Sequence, residues 1–225
     1  MDDLNLPENL LLLALDDESG ERLASYVDYA LGGAAFAELI LRERLVVSTR
    51  KGDRYELADT TPTGDAFLDR CFEIIQSKGV EKDPKQLISA IGQKRGVSAP
   101  LVNGLVDRGV LHRRTKKVFF FFEKTIYPEA NSAIETALKE RLARVLFYDE
   151  TPSARDTVLI ALASSLNLLK RNFDRELLSI NKARINEIVA GDHLVADATR
   201  KAIEAVKAAV AVATIMPAVV ITSAG

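Results

Sequence analysis

The stretches AELILRERLVVSTRKGDRYELAD, from Ala37 to Asp59, and VNGLVDRGVLHRRTKKVFFFFEK, from Val102 to Lys124, decide the fold. Each carries an apolar helical pattern into an Arg-X-X-Leu step, Arg42 to Leu45 and Arg108 to Leu111, and then into a hairpin. In the first, Lys51-Gly52-Asp53 is a tight turn between Leu45–Val47 and Arg54–Leu57. In the second, the turn is expected near Arg114-Thr115. A helix that feeds a basic hairpin is suited to touching an anion, either nucleic acid or a membrane lipid.

The pattern around these stretches is helical. Tyr26 to Arg42 places Val27, Ala30, Leu31, Ala34, Ala35, Leu39 and Leu41 at helical spacing, with Ala and Gly leaving room for close packing. Thr63 or Asp65 caps a helix through Ser77. Pro84 opens another, with Leu87, Ile88 and Ile91 on one face. Leu101 to Arg108 is a further helix that ends at Gly109. Leu10 to Leu15 is a short apolar run, helix or strand, with Pro7 near its start. Beyond Asn131 the pattern predicts helices at 131–148, 153–169, 174–190 and 195–215, with breaks at Pro152 and Gly191. The last is followed to the end by uncharged sequence, eighteen residues after Lys207. It is Ala-rich and interrupted by Pro217, so a buried central helix suits it better than a membrane anchor.

No Ser/Gly linker divides the chain. The 225 residues, 48% apolar and 28% charged, therefore read as one soluble domain, 1–225. The expected class is mainly α: a single helical domain around a buried hydrophobic C-terminal helix, with two small β hairpins. The lone Cys71 excludes an internal disulfide and fits a reducing compartment, and its apolar setting makes it a small core residue. The start, MDDLNLPENL, is acidic where a secretion signal would be basic.

The net charge of −2 conceals a strong asymmetry. Met1 to Glu21 holds seven acidic residues and no Lys or Arg, whereas Lys94 to Lys117 holds seven basic residues against Asp107 alone. Such a dipole orients a protein on an anionic surface. No catalytic constellation, nucleotide loop or metal-ligand spacing is present: His112 and His193 are isolated, and Asp16, Asp17 and Glu18 lack the remaining spacing of a calcium loop. No cofactor is implied. Glu38, inside an apolar helix, is expected to form a structural ion pair with Arg42 or Arg44.

Three binding readings remain. In the first, Arg113, Arg114, Lys116 and Lys117 meet lipid phosphates, while Phe119 and Phe121 offer apolar contact. The second is a winged-helix-like nucleic-acid binder, disfavoured by the acidic balance and by SAPLVNGLVDRG, which has few base-reading residues. The third is a homo-oligomer pairing through the hairpin edge.

Several stretches together resemble one family: NLPENLLLLALDDESG at 5–20, AELILRERL at 37–45, PTGDAFLD at 62–69, LVDRGVL at 105–111, the hairpin through Tyr127-Pro128, and VLIALASSLNLL at 158–169. They resemble the Golgi phosphoprotein 3 family, peripheral Golgi adaptors that read phosphatidylinositol 4-phosphate. The resemblance implies a non-enzymatic adaptor, cytoplasmic and peripheral to a membrane, with protein partners. Its lipid pocket implies a tryptophan at Leu23 and arginines at Gly32, Arg95 and Ser98, of which only Arg95 keeps the pattern. Arg95, Lys94 and Arg108 are then the candidate headgroup cations, forming a looser anionic site. The Ala-rich composition fits a bacterial relative.

Overall fold

A computed structural model describes residues 4–17, 19–24, 26–47, 55–80, 83–118 and 122–191. The chain enters through α1, Leu6–Leu13, and every residue of that helix is buried. Helix rather than strand follows from its start. The Asn5 side chain accepts from Glu8 N at 3.0 Å, and Glu8 Oε2 accepts from Asn5 N at 2.9 Å. This reciprocal cap, followed by two proline- and leucine-lined turns, satisfies backbone donors that an apolar setting would strand. A short helix so apolar on all sides has to sit inside the core.

α1 packs against α2, Val27–Leu41, and against α7, Ala154–Ser165. Between α1 and α2 the chain turns back through a bridge joining Leu15 and Arg22. α2 is buried along most of its length and hands over to hairpin β1–β2, Leu45–Val47 and Tyr55–Leu57, in the register Leu45↔Leu57, Val46↔Glu56, Val47↔Tyr55. The expected turn at 51–53 lies outside the described residues. α3, Ala66–Lys78, is capped by Asp65, which accepts from Phe67 N and Leu68 N at 2.9 and 2.8 Å. It buries Cys71, and that burial pushes the thiol far above its ordinary value, so the side chain acts as an inert hydrophobe. α4, Pro84–Gly92, lies along α2, and α5, Ala99–Asp107, crosses α3.

The second hairpin, β3 Arg114–Val118 and β4 Phe122–Ile126, corrects the expected turn. Arg114 and Thr115 lie within β3, paired to Ile126 and Thr125, so the reversal falls between Val118 and Phe122. The register sets Thr115 against Thr125 and Lys117 against Glu123, cross-strand pairs that outweigh the turn signal of an Arg-Thr step.

α6, Ser132–Phe147, and α7 cover the open side of the core. The expected helix 153–169 stops at Ser165, because Asn167 takes the left-handed conformation (φ 57°) and the chain restarts as α8, Leu169–Asn172. The expected helix 174–190 is likewise two: α9, Arg175–Ile180, and α10, Lys182–Ala190. Asn181 separates them, its side-chain amide donating to Leu177 O at 3.0 Å in competition with the helical ladder. The helix expected at 195–215 lies outside the described residues. Among those described, α1 and α2 occupy the centre of one continuous apolar cluster that runs from Leu6 to Ile188.

The loop between α1 and α2 braces the second hairpin. Gly20 has φ 62°, and its carbonyl accepts from Tyr127 N at 3.1 Å. A Cβ on Gly20 would stand 2.2 Å from Pro128 N, so only glycine fits. Beside it, Asp17 of the same loop and Glu135 of α6 share Lys139, with Nζ at 3.0 and 2.8 Å. Burial pushes the Glu135 carboxyl up to about 8, opposed by Lys139 and assisted by a hydrogen bond with Glu129.

Two outcomes follow for stability. Gly20→Ala should destabilise the protein by about 2 kcal/mol or more, since both the backbone conformation and the contact are lost; chemical denaturation measures it. Glu135 binds its proton more tightly folded than unfolded, so its contribution is complete below about pH 4.5 and is lost as pH rises towards 8. Glu135→Gln should therefore be the more stable protein at pH 8 to 9, by about 1 kcal/mol, with the advantage shrinking towards pH 5.

Candidate functional site

The exposed cations of the second hairpin are not equivalent. His112 to Lys117 are all exposed. Alternation along β3 puts Arg114 and Lys116 on one face and Lys117 on the other. Lys116 stands opposite Lys124, and both ammonium groups lie 3.5 Å from Glu21. Lys116 first, and Lys124 second, hold the Glu21 carboxyl below its ordinary value. Arg113 turns back to donate to Asn103 Oδ1 of α5. No ion pair among the described residues engages Arg114 or Lys117. Phe119 and Phe121 lie outside the described residues.

Lys94 and Arg95 are exposed in the turn between α4 and α5, and no ion pair among the described residues engages them either. Arg108 does not join them. It follows α5, and a helix of that length separates its two ends by about 14 Å. Its guanidinium pairs instead with the buried carboxylate of Glu8, the capping residue of α1. Burial raises the Glu8 carboxyl, and the Asn5 amide and Arg108 pull it back, so Arg108 supports the fold at this point.

The positions matched to the family's headgroup pocket are built differently here. Leu23 packs against the core. Gly32 meets α4 closely, and a Cβ there would stand 3.1 Å from Ile91 Cγ2, leaving no room for an arginine stem without movement. Ser98 is buried, and its hydroxyl accepts from Arg22 Nη2 at 2.8 Å. Arg22 thus brings a guanidinium beside one of these positions, but Asp28 neutralises it at 3.0 Å. Sequence does not reveal Arg22 at this place, because the contact spans 76 residues and no local spacing links the two positions.

Glu38 forms the expected ion pair with Arg42, Nε to Oε1 at 2.8 Å, and a second with Arg155 of α7 at 2.9 Å. Arg44 goes elsewhere, to Asp59 and Thr61. Burial would raise the Glu38 carboxyl, but Arg155 and Arg42 overcome it and hold the group below its ordinary value. Glu38 is therefore a structural anion. Among the described residues no cluster of His, Cys, Asp and Glu is placed to hold a metal ion, and no helix is long and apolar enough to cross a membrane.

Comparison with known proteins agrees with this architecture. Vacuolar protein sorting-associated protein 74 of Eremothecium gossypii is 32% identical over 167 residues, covering 64% of this chain and 49% of that protein. Its namesake in Schizosaccharomyces pombe is 30% identical over 205 residues, covering 76% and 60%. A VPS74-like protein of Dictyostelium discoideum is 24% identical over 158 residues, covering 64% and 60%. The chain thus matches about half to three fifths of the length of these relatives. They are eukaryotic, whereas composition pointed to a bacterial member. The family model of Golgi phosphoprotein 3 (GPP34) matches residues 6–206, nearly the whole chain, and the chain belongs to that family.

Proposed function

We propose that the chain is a non-enzymatic peripheral adaptor that contacts anionic membranes through its second hairpin and the turn holding Lys94 and Arg95. The observation that carries this reading is the set Lys94, Arg95, Arg114 and Lys117: four exposed cations that no ion pair among the described residues engages, while most other arginines are spent on carboxylates. Membership of the Golgi phosphoprotein 3 family supports an adaptor role with membrane and protein partners. A basic cluster near a membrane gains about 1 kcal/mol per Lys or Arg from an acidic leaflet.

Recognition is of surface charge rather than of one headgroup. A phosphate monoester calls for several convergent donors. Here Gly32 is closed by Ile91, Arg22 is neutralised by Asp28, and Arg95 alone keeps the pattern. Phosphatidylinositol 4-phosphate then gains no advantage over another acidic lipid at equal charge.

Vesicle sedimentation tests both points. The protein should bind vesicles of phosphatidylcholine with phosphatidylserine, bind neutral phosphatidylcholine poorly, and release as salt rises. Arg95→Glu combined with Arg114→Glu should lose at least about ten-fold in binding without lowering the melting temperature. Equal binding to neutral vesicles, or an unaffected double variant, contradicts the reading. Glu21→Gln provides an opposite arm: it frees Lys116 and Lys124, so binding to acidic vesicles should strengthen.

A further inference from the structure

α1, α2, α6 and α7, with the segment that follows α5, line a cleft of about 720 Å³ that contains none of Lys94, Arg95, Arg114 and Lys117. Five arginines line it: Arg42, Arg108, Arg141, Arg144 and Arg155. Each pairs with a carboxylate: Arg42 and Arg155 with Glu38, Arg108 with Glu8, Arg141 with Asp156, and Arg144 with Glu150. The pairs are arranged one behind the other. The arginine side chains keep 34% to 53% of their surface, whereas Glu38, Glu8 and Asp156 keep 1%, 5% and 8%. Those three anions are recessed and their arginines stand in front, while Glu150 beside Arg144 stays exposed, so the floor of the cleft presents positive charge although its ion pairs balance. A guanidinium carries five donors and a carboxylate fork uses two, which leaves Arg42, Arg108, Arg141 and Arg144 donors for a second acceptor.

Beside Asn5, Asn9 and Asn131, the wall carries an aliphatic strip of Leu6, Ile134, Leu138 and Leu159. The N-terminus of α6, at Asn131 and Ala133, opens onto the same space and adds a positive dipole end. Among the described lining residues there is no aromatic ring, so nothing is offered for a nucleobase to stack upon. The volume suits a small molecule.

We propose that this cleft binds a small organic phosphate with an aliphatic body, its phosphate held by the arginine fronts and its chain laid along the leucines. The site is separate from the hairpin and does not rest on the membrane reading.

Calorimetric titration of the full chain tests it with three probes below their micellar concentrations: inorganic phosphate, octyl phosphate and octyl glucoside. Octyl phosphate should bind at least about ten-fold tighter than inorganic phosphate, a factor that two buried methylenes supply, and octyl glucoside should not bind. Two substitutions at exposed positions separate charge from space. Arg144→Gln, whose partner Glu150 is itself exposed, should weaken octyl phosphate about ten-fold at unchanged melting temperature. Ala137→Trp, on the exposed rim of α6, should obstruct the cleft and weaken octyl phosphate binding clearly. Octyl phosphate binding no tighter than inorganic phosphate, or wild-type affinity in either variant, overturns the proposal. A further arm assigns the source. If the phosphate arrives on a lipid, phosphatidic acid vesicles should sediment the protein better than phosphatidylglycerol vesicles of equal charge, and Ala137→Trp should reduce that excess. If it arrives in solution, the two vesicles should behave alike while octyl phosphate still binds.

Discussion

A carboxylate buried to 1% exposure in the last turn of an apolar helix has to be met by cations, and Glu38 is met by two. Arg42 reaches it from one turn further along α2, and Arg155 from the start of α7. Leu6 N of α1 adds a donor at 3.3 Å. Three helices that form the centre of the core are therefore tied at one point, at their polar ends, where leucines alone would allow them to slide. Stranding such a charge by removing both partners costs roughly 3–5 kcal/mol, a large part of the stability of a domain. The same device recurs around it: Glu8 with Arg108 joins α1 to α5, and Asp156 with Arg141 joins α7 to α6. Hydrophobic burial drives this fold together, and the recessed carboxylates pin its helices to one another at defined points.

That arrangement divides the described cations by their surroundings. Arginines near the core are drawn in by carboxylates and build the walls of a cleft. Lysines and arginines on the hairpin and in the 94–95 turn have few such partners and remain at the surface. Glu21 is the exception that shows the boundary: it lies in the loop that Gly20 locks against Tyr127 and Pro128, and from there it draws on Lys116 and Lys124. The acidic loop at Glu21 is thus folded against the basic hairpin, which lessens the charge asymmetry there. What stays available to an anionic partner is a smaller set of cations than the seven counted between Lys94 and Lys117.

The elements legible from sequence are those with local chemistry. Asp65 capping α3, Pro84 opening α4, Gly109 after α5 and the first hairpin all depend on neighbours within a few residues. The helix of α1 was ambiguous because its apolar run is short, although Asn5 and Glu8 carry the capping signal. The breaks at Asn167 and Asn181 escaped because asparagine is tolerated within a helical pattern and only its backbone reveals the stop. The hairpin turn was placed too early, since cross-strand pairing rather than turn propensity sets the register. At the candidate site, the identity of the exposed cations was readable but their partners were not. Arg108 was grouped with Arg95 by sequence proximity, and a helix length carries it away to Glu8. The Glu38–Arg155 pair spans 117 residues, and no spacing rule reaches that far.

The central claim is that the hairpin cations, and not the helical face at α6, meet the membrane. Cys71 is buried and inert, so a new surface cysteine can be labelled selectively. An environment-sensitive fluorophore at Lys117→Cys should shift to the blue and gain intensity on vesicles containing phosphatidylserine, and lose the effect in high salt. The same label at Glu140→Cys, exposed on α6, should not respond. A response at Glu140→Cys with none at Lys117→Cys would contradict the account.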